Sequence, residues 1–303
     1  MDFSLRLYII HRLKKFIYNK DFKFKSIVDE IIKRLFPDIK EKFIVKTLKG
    51  FKLIIDPETD KGIEYNIFQH GIYEKGTLDA FECIIKKGDI IIDLGANIGL
   101  TTIYESILAG KDGKVYSFEA HPKTYEILNK NISLNKCNNI YSVNKAISDN
   151  ISAGFIYDNL DINRGAASLM KKNENQKAHR TDLTTLDNFV KENNINKIDF
   201  IKIDIEGYEL KALKGFQEYL NINPKPIFCI ELSFDVSPPE VINEIFTLFL
   251  EHYNYLAFRQ KKGKSIGGNF IQVFRVSDLP KFDNIYFFQE EHLSFVKNIE
   301  LPS

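Results

Sequence analysis

The sequence has 303 residues, 44% hydrophobic and 27% charged, with a formal net charge of +1. That composition excludes a disordered or fibrous chain and suits one large α/β domain with a small extension. Cys83, Cys137 and Cys229 stand far apart with no CxxC pair, which argues against a disulfide framework or a cysteine zinc site and fits a reducing cytoplasm.

Residues 1–37 read as helix. Leu5, Ile9, Leu13, Phe16 and Ile17 recur at helical spacing, and Ile27, Ile31, Ile32 and Leu35 repeat the pattern before Pro37. Residues 1–50 carry 13 Lys/Arg against 6 Asp/Glu, a balance of +7, so the remainder carries −6. Residues 1–45 are therefore expected to form a basic helical extension. It suits a solvated helix beside an acidic domain, a peripheral contact with an anionic membrane surface, or a contact with another subunit. Charges interrupt it too often for a signal peptide, and no run approaches the ~18 apolar residues of a membrane span. The expectation is a soluble cytoplasmic protein, peripheral at the inner membrane face at most.

Residues 46–303 are expected to form the main domain. A hairpin is read over residues 43–55, turning at Lys49-Gly50. Strand and helix then alternate. Strands fall at 89–93, 114–119, 140–144, 198–204 and 227–232, and helices at 98–109, 122–135, 185–193, 208–220 and 238–252. Strand-like runs follow near 254–258, 270–275 and 284–288. This pattern implies an α/β fold: a Rossmann-like, doubly wound, mostly parallel sheet of seven strands with helices on both faces. Ligands bind such sheets beyond the carboxyl ends of the strands. Residues 150–182 read as one long polar loop, a feature that is usually functional in a compact domain.

The first of these strands ends in Asp93-Leu94-Gly95-Ala96-Asn97-Ile98-Gly99. Gly95 permits a sharp turn, and Gly99 permits close passage of the next helix. Glycines spaced G-x-x-x-G after an acid do not make the dinucleotide fingerprint G-x-G-x-x-G. Asp93 would repel a pyrophosphate and suits a cationic group, such as the α-ammonium of an amino-acid cofactor. Glu119, at the end of the next strand, can accept both hydroxyls of a ribose.

Gly88–Gly99, Val115–Pro122, Thr185–Asp187 and Ile201–Glu209, the last containing Lys202-Ile203-Asp204-Ile205-Glu206-Gly207-Tyr208-Glu209, together resemble the FkbM-type methyltransferases. The resemblance spans residues 50–290. Ala120 and Leu94 depart from the usual Pro and Ile/Val without affecting the chemistry. The resemblance implies a class I Rossmann-like fold, S-adenosylmethionine (SAM) as cofactor, and O-methylation of a hydroxyl on a sugar, glycan or related small molecule by direct in-line transfer. Asp93, Gly95, Asn97 and Gly99 would hold the methionine part, and Glu119, followed by Ala120, the ribose. Ser148 and Asp149, in Ala146-Ile147-Ser148-Asp149, would border the adenine. Glu74, in Gly71-Ile72-Tyr73-Glu74, would face cofactor or substrate.

A sugar hydroxyl is a poor nucleophile, so a base helps. The catalytic candidates are Asp204 and Glu206, with Lys202 inside the strand. Neighbouring carboxylates repel one another and can raise one pKa. Asp204 is expected nearest the methyl and Glu206 as base or substrate anchor; alternatively, both only position substrate. Glu209 is expected to serve the helix start. Glu231, Arg164 and His70 are the substrate candidates, and Ser168 is a further one by loop position alone. A divalent metal could use Asp204, Glu206 and Glu231 together, but the spacing demands none and no metal ligand is assigned. Two other readings compete: an NAD(P)-dependent Rossmann oxidoreductase, and a non-catalytic SAM-binding homologue acting as a binding module. The acidic catalytic region and the lack of amino-methylation motifs argue against nucleic acid as partner.

Overall fold

The computed structural model describes residues 3–18, 42–158, 167–171, 174–221 and 225–300. Helix α1 (Phe3–Tyr18) is followed by the hairpin β1 (Phe43–Lys46) and β2 (Lys52–Ile55), then by α2 (Ile63–His70) and α3 (Lys75–Ile84). The alternating core contains β3 (Ile90–Leu94), α4 (Leu100–Ala109), β4 (Lys114–Phe118), α5 (Pro122–Asn135), β5 (Ile140–Val143) and β6 (Ala146–Ile147). Next come β7 (Ser152–Tyr157), β8 (Ala178–Thr184), α6 (Leu186–Glu192), β9 (Phe200–Ile203), α7 (Glu209–Lys214), α8 (Gln217–Leu220) and β10 (Ile227–Ser233). The last part runs α9 (Pro239–Thr247), β11 (Leu256–Gln260), α10 (Gly263–Ile266), β12 (Phe270–Val273), β13 (Phe282–Phe288), α11 (Glu290–Leu293) and β14 (Ile299–Glu300).

The main sheet has the order β14-β12-β11-β13-β10-β9-β3-β4-β5. Strands β5, β4, β3, β9 and β10 are mutually parallel, and β13 runs antiparallel between β10 and β11. The sheet has nine strands where seven were expected: the run read near 270–275 is β12, and only β14, two residues long at the edge, was not read from the sequence. Period-2 alternation drives the layering. Ile92, Ile201 and Ile230 face one core with α6, α7 and α9, whereas Ile91, Phe200 and Cys229 face another with α3. After β3 the chain steps outward to β4 and β5, then returns to β9 on the opposite side of β3. The switch point between β3 and β9 opens a crevice at their carboxyl ends.

Three expectations change. The long polar loop contains β7 and β8, which pair antiparallel and join β6 in a separate three-stranded sheet. The expected helix over 208–220 is broken at Gly215, where a Cβ would lie 2.1 Å from the Ser148 carbonyl oxygen. The boundary drawn between residues 45 and 46 falls inside β1. Helix α1 docks on the domain through buried Leu7, Ile10 and His11, whose Nε2 lies 2.8 Å from the Phe68 carbonyl. Residues 19–41, read as the second half of the basic helical extension, lie outside the described residues. Among the described residues no helix is long and apolar enough to cross a membrane.

Candidate active site

A cavity of about 290 Å³ lies at the switch point. Its floor is the turn after β3. Gly95 (φ +83°) and Asn97 (φ +49°) take left-handed conformations there, and the Gly95 and Ala96 amides donate to the Phe118 carbonyl at 3.0 and 2.9 Å. Gly95 is required by close approach: a Cβ would lie 1.8 Å from the carbonyl oxygen of Asp204 on the neighbouring strand end. Asn97 donates its amide to Glu119 Oε2 at 2.8 Å, and His121 donates its amide to Oε1 at 2.8 Å. Burial pushes the Glu119 carboxyl up to about 7 against these two bonds. Asn97 Oδ1 is buried on the wall and accepts no hydrogen bond.

The opposite wall is built of charged side chains. Lys202, buried in β9, lies 3.2 Å from Asp204 Oδ2 and 3.6 Å from Asp93 Oδ1. Burial raises the Asp204 carboxyl, but the ammonium groups of Lys202 and then Lys264 outweigh it and hold Asp204 below its ordinary value. Lys264, on α10, bridges Glu74 at 2.6 Å and Glu231. Burial, followed by the charge of Asp204, pushes Glu231 well above the usual carboxylate range despite Lys264. Carboxylate oxygens of Asp204, Glu206 and Glu231 lie within 4.8 Å of one another. Two carboxylates with opposed shifts, facing one cavity, form a natural place to hold and move a proton.

The structure brings Lys202, Asp204, Glu206 and Glu231 together, with Gly95, Asn97, Glu119, Ala120 and Glu74 on the same cavity. Glu74 belongs with the charged wall through Lys264. Other expected residues stand off the cavity. Asp93 is fully buried beneath the turn, where its Oδ2 accepts from Thr102 Oγ1 at 2.6 Å and Thr101 Oγ1 at 3.2 Å. It braces Lys202 and the start of α4 rather than presenting a carboxylate to a ligand. Gly99 serves helix packing: its Cβ would meet Leu128 at 2.8 Å. Ser148 is buried behind the wall and Asp149 is exposed; Lys145, Ala146 and Ile147 line the cavity instead. His70 is exposed at the end of α2, away from the cavity. Arg164 lies outside the described residues.

Sequence reasoning missed Lys264 and Tyr73, both on the wall, and it gave Ser168 no structural basis. Ser168 Oγ donates to the Glu206 carbonyl at 2.8 Å, tying the segment after β7 to the turn after β9. Glu209 has the structural role expected of it. Its Oε1 accepts the amides of Ile205 at 3.2 Å and Gly207 at 3.1 Å, fixing the turn that presents Glu206.

A family model described as "Methyltransferase FkbM domain" matches residues 93–263, more than half of the chain. The curated "Methyltransferase sdnD" of Sordaria araneosa is 27% identical over 165 residues, covering 44% of this chain and 62% of that protein. The chain thus spans less than two thirds of that relative's length. Among solved structures, M. jannaschii TYW2 in complex with AdoMet aligns at 16% identity and TM-score 0.43, covering 83% of this chain and 86% of that one. A SAM dependent methyltransferase from Aquifex aeolicus aligns at 15% identity and TM-score 0.38, covering 71% and 90%.

Proposed function

The chain belongs to the FkbM methyltransferase family, and we propose that it transfers the methyl group of SAM to a hydroxyl of a sugar, glycan or related polyhydroxyl small molecule. The observation that carries this reading is one cavity lined on one side by Asn97 and Glu119 and on the other by Asp204, Glu206 and Glu231. When bound, SAM supplies a methyl group already activated on a sulfonium.

The residues present fit that group. Asn97 offers a buried acceptor with no protein partner, suited to a donor of the methionine part. Each Glu119 oxygen takes one backbone N–H and keeps a lone pair for a ribose hydroxyl. The wall of Phe118, Ala146, Ile147 and Ile156 gives an apolar slot for a flat base.

The charged wall supports an uncharged acceptor. Lys202 and Lys264 keep Asp204 ionised, so it accepts a hydrogen bond from the attacking hydroxyl and fixes its direction. The departing proton is taken by the ionised Asp204 and shared across the Asp204–Glu231 pair. The carboxylates of Glu74, Asp204 and Glu206 outnumber the two lysines, which disfavours a phosphorylated acceptor.

Two measurements test the reading. S-adenosylhomocysteine should raise the melting temperature and NADH should not; stabilisation by NADH alone would favour an oxidoreductase. Labelled SAM should place an O-methyl group on a member of a neutral glycan panel, identified by NMR. Label appearing on nitrogen would overturn the acceptor chemistry while leaving the cofactor intact.

A further inference from the structure

A second set of ligand-type side chains lies beside the Glu119 end of the cavity and takes no part in the chemistry above. His121 precedes α5, Asp158 follows β7, and His179 lies in β8 opposite Ile156. Nε2 of His121 is 2.6 Å from Asp158 Oδ1, and Nε2 of His179 is 3.0 Å from the same oxygen. The two rings meet edge to face with centroids 4.6 Å apart. All three side chains are largely buried, and their ligand atoms lie within 4.8 Å of one another.

We propose that His121, Asp158 and His179 form a site for a divalent transition metal of the zinc type, which ties the β7–β8 hairpin to the Glu119 end of the cavity. Two imidazole nitrogens and one carboxylate oxygen are a preferred donor set for such an ion, with water free to complete the coordination. The buried Nε2 of His179 makes no hydrogen bond of normal geometry despite its closeness to Asp158. A cation held between the two groups would satisfy that nitrogen.

A metal-bound His121 must keep its Nε2 lone pair and carry the proton on Nδ1. Thr124 Oγ1, 3.2 Å from Nδ1, is placed to accept that proton and so fix the ring. The opposite tautomer would let Nδ1 accept the Thr124 amide at 3.3 Å and make Nε2 a donor to Asp158. The two tautomers exclude one another, so metal binding is a sharp alternative to a hydrogen-bonded clamp.

The position gives the ion a task. Ile156 of β7 lines the cavity, and the His121 amide holds Glu119. The Ser168–Glu206 bond anchors the segment beyond β7 to the charged wall. A metal at His121, Asp158 and His179 would fasten the hairpin at the other end, so that it lies across the cavity from both sides.

The test uses the full-length, tag-free protein after dialysis against a chelator. Adding zinc should restore one equivalent per chain by elemental analysis and raise the melting temperature by ~5 °C. Cobalt(II) should give visible d–d bands of a low-coordinate site. His179→Ala and Asp158→Asn should each abolish the bands and the zinc-dependent rise, and their melting temperatures in chelator show whether they fold. Failure of the native protein to retain zinc or cobalt, or retention unchanged in both variants, would overturn the proposal and leave the cluster as a hydrogen-bonded clamp.

Discussion

The two walls of the cavity are built by different means. The wall assigned to the cofactor is mostly backbone: consecutive residues after β3, bent through left-handed conformations at Gly95 and Asn97, with Glu119 held by two amides. The wall assigned to the acceptor is side-chain charge gathered from distant segments: Glu74 before α3, Lys202 in β9, Asp204 after it, Glu231 in β10 and Lys264 in α10. Backbone geometry is set locally and is indifferent to charge. A charge network is collective, so removing one member alters the others. The first wall should therefore survive charge deletions that disable the second.

Asp204→Asn gives the largest expected separation. It keeps the side chain's size and leaves the Asp204 carbonyl beside Gly95 in place, so S-adenosylhomocysteine affinity should stay within about twofold while kcat falls ~10³-fold. An equal loss of affinity and turnover would mean that the walls are not separable. Lys264→Met comes next. It leaves Glu74 and Glu231 facing one another without their shared cation, and should destabilise the fold by about 2–4 kcal/mol in denaturant titrations. Adding Glu231→Gln should recover part of that loss, because one of the unpaired carboxylates is gone. Additive losses would show that Lys264 does not couple the pair.

The same contrast explains what the sequence made legible. The turn after β3, Glu119 and the Asp204-Ile205-Glu206-Gly207 turn are short segments whose residue types dictate backbone shape or strand-end position, and all reach the cavity. Lys264 was invisible because Lys261-Lys262-Gly263-Lys264 offers three like side chains. Only the fold of α10, opened by Gly263 at φ +70° and closed by Gly267, selects the one that points inward. Strand β7 was hidden for a related reason: of its six residues only Ile156 is buried, so no alternation marks it. Asp93 shows the converse. Its place in the motif was legible, but its partners, Thr101 and Thr102 in the first turn of α4, hold its Oδ2 beneath the turn.

A pH series probes both walls at once. Burial pushes the carboxyls of Glu119, on the first wall, and Glu209, under the second, up to about 7 from an ordinary 4.5. A carboxyl raised on folding contributes stability that is fully present below pH ~4.5 and lost as the pH rises through ~7. The ligand-free protein should thus become less stable between pH 5 and pH 8, by on the order of 3 kcal/mol for each group. Glu209→Gln keeps an oxygen to accept the Ile205 and Gly207 amides but cannot ionise, so its stability should fall less far over that range. Denaturant titrations at three pH values read this directly, and an unchanged slope would assign the pH dependence to other groups.

The smallest effect marks where the charged wall ends. His70 is the last residue of α2, four positions before Glu74, and sequence alone made it a candidate for the acceptor side. Gly71, left-handed at φ +71°, reverses the chain between them and is packed against His11 of α1. Glu74 therefore turns into the cavity while His70 stays outside it, near Lys14. An exposed side chain without a role in the network should be nearly silent when removed. His70→Ala should change stability by less than about 0.5 kcal/mol and leave kcat/KM unaltered. A tenfold loss of kcat would mean that α2 swings inward during turnover. The acceptor wall would then extend past Glu74, and Gly71 would be a hinge rather than a fixed corner.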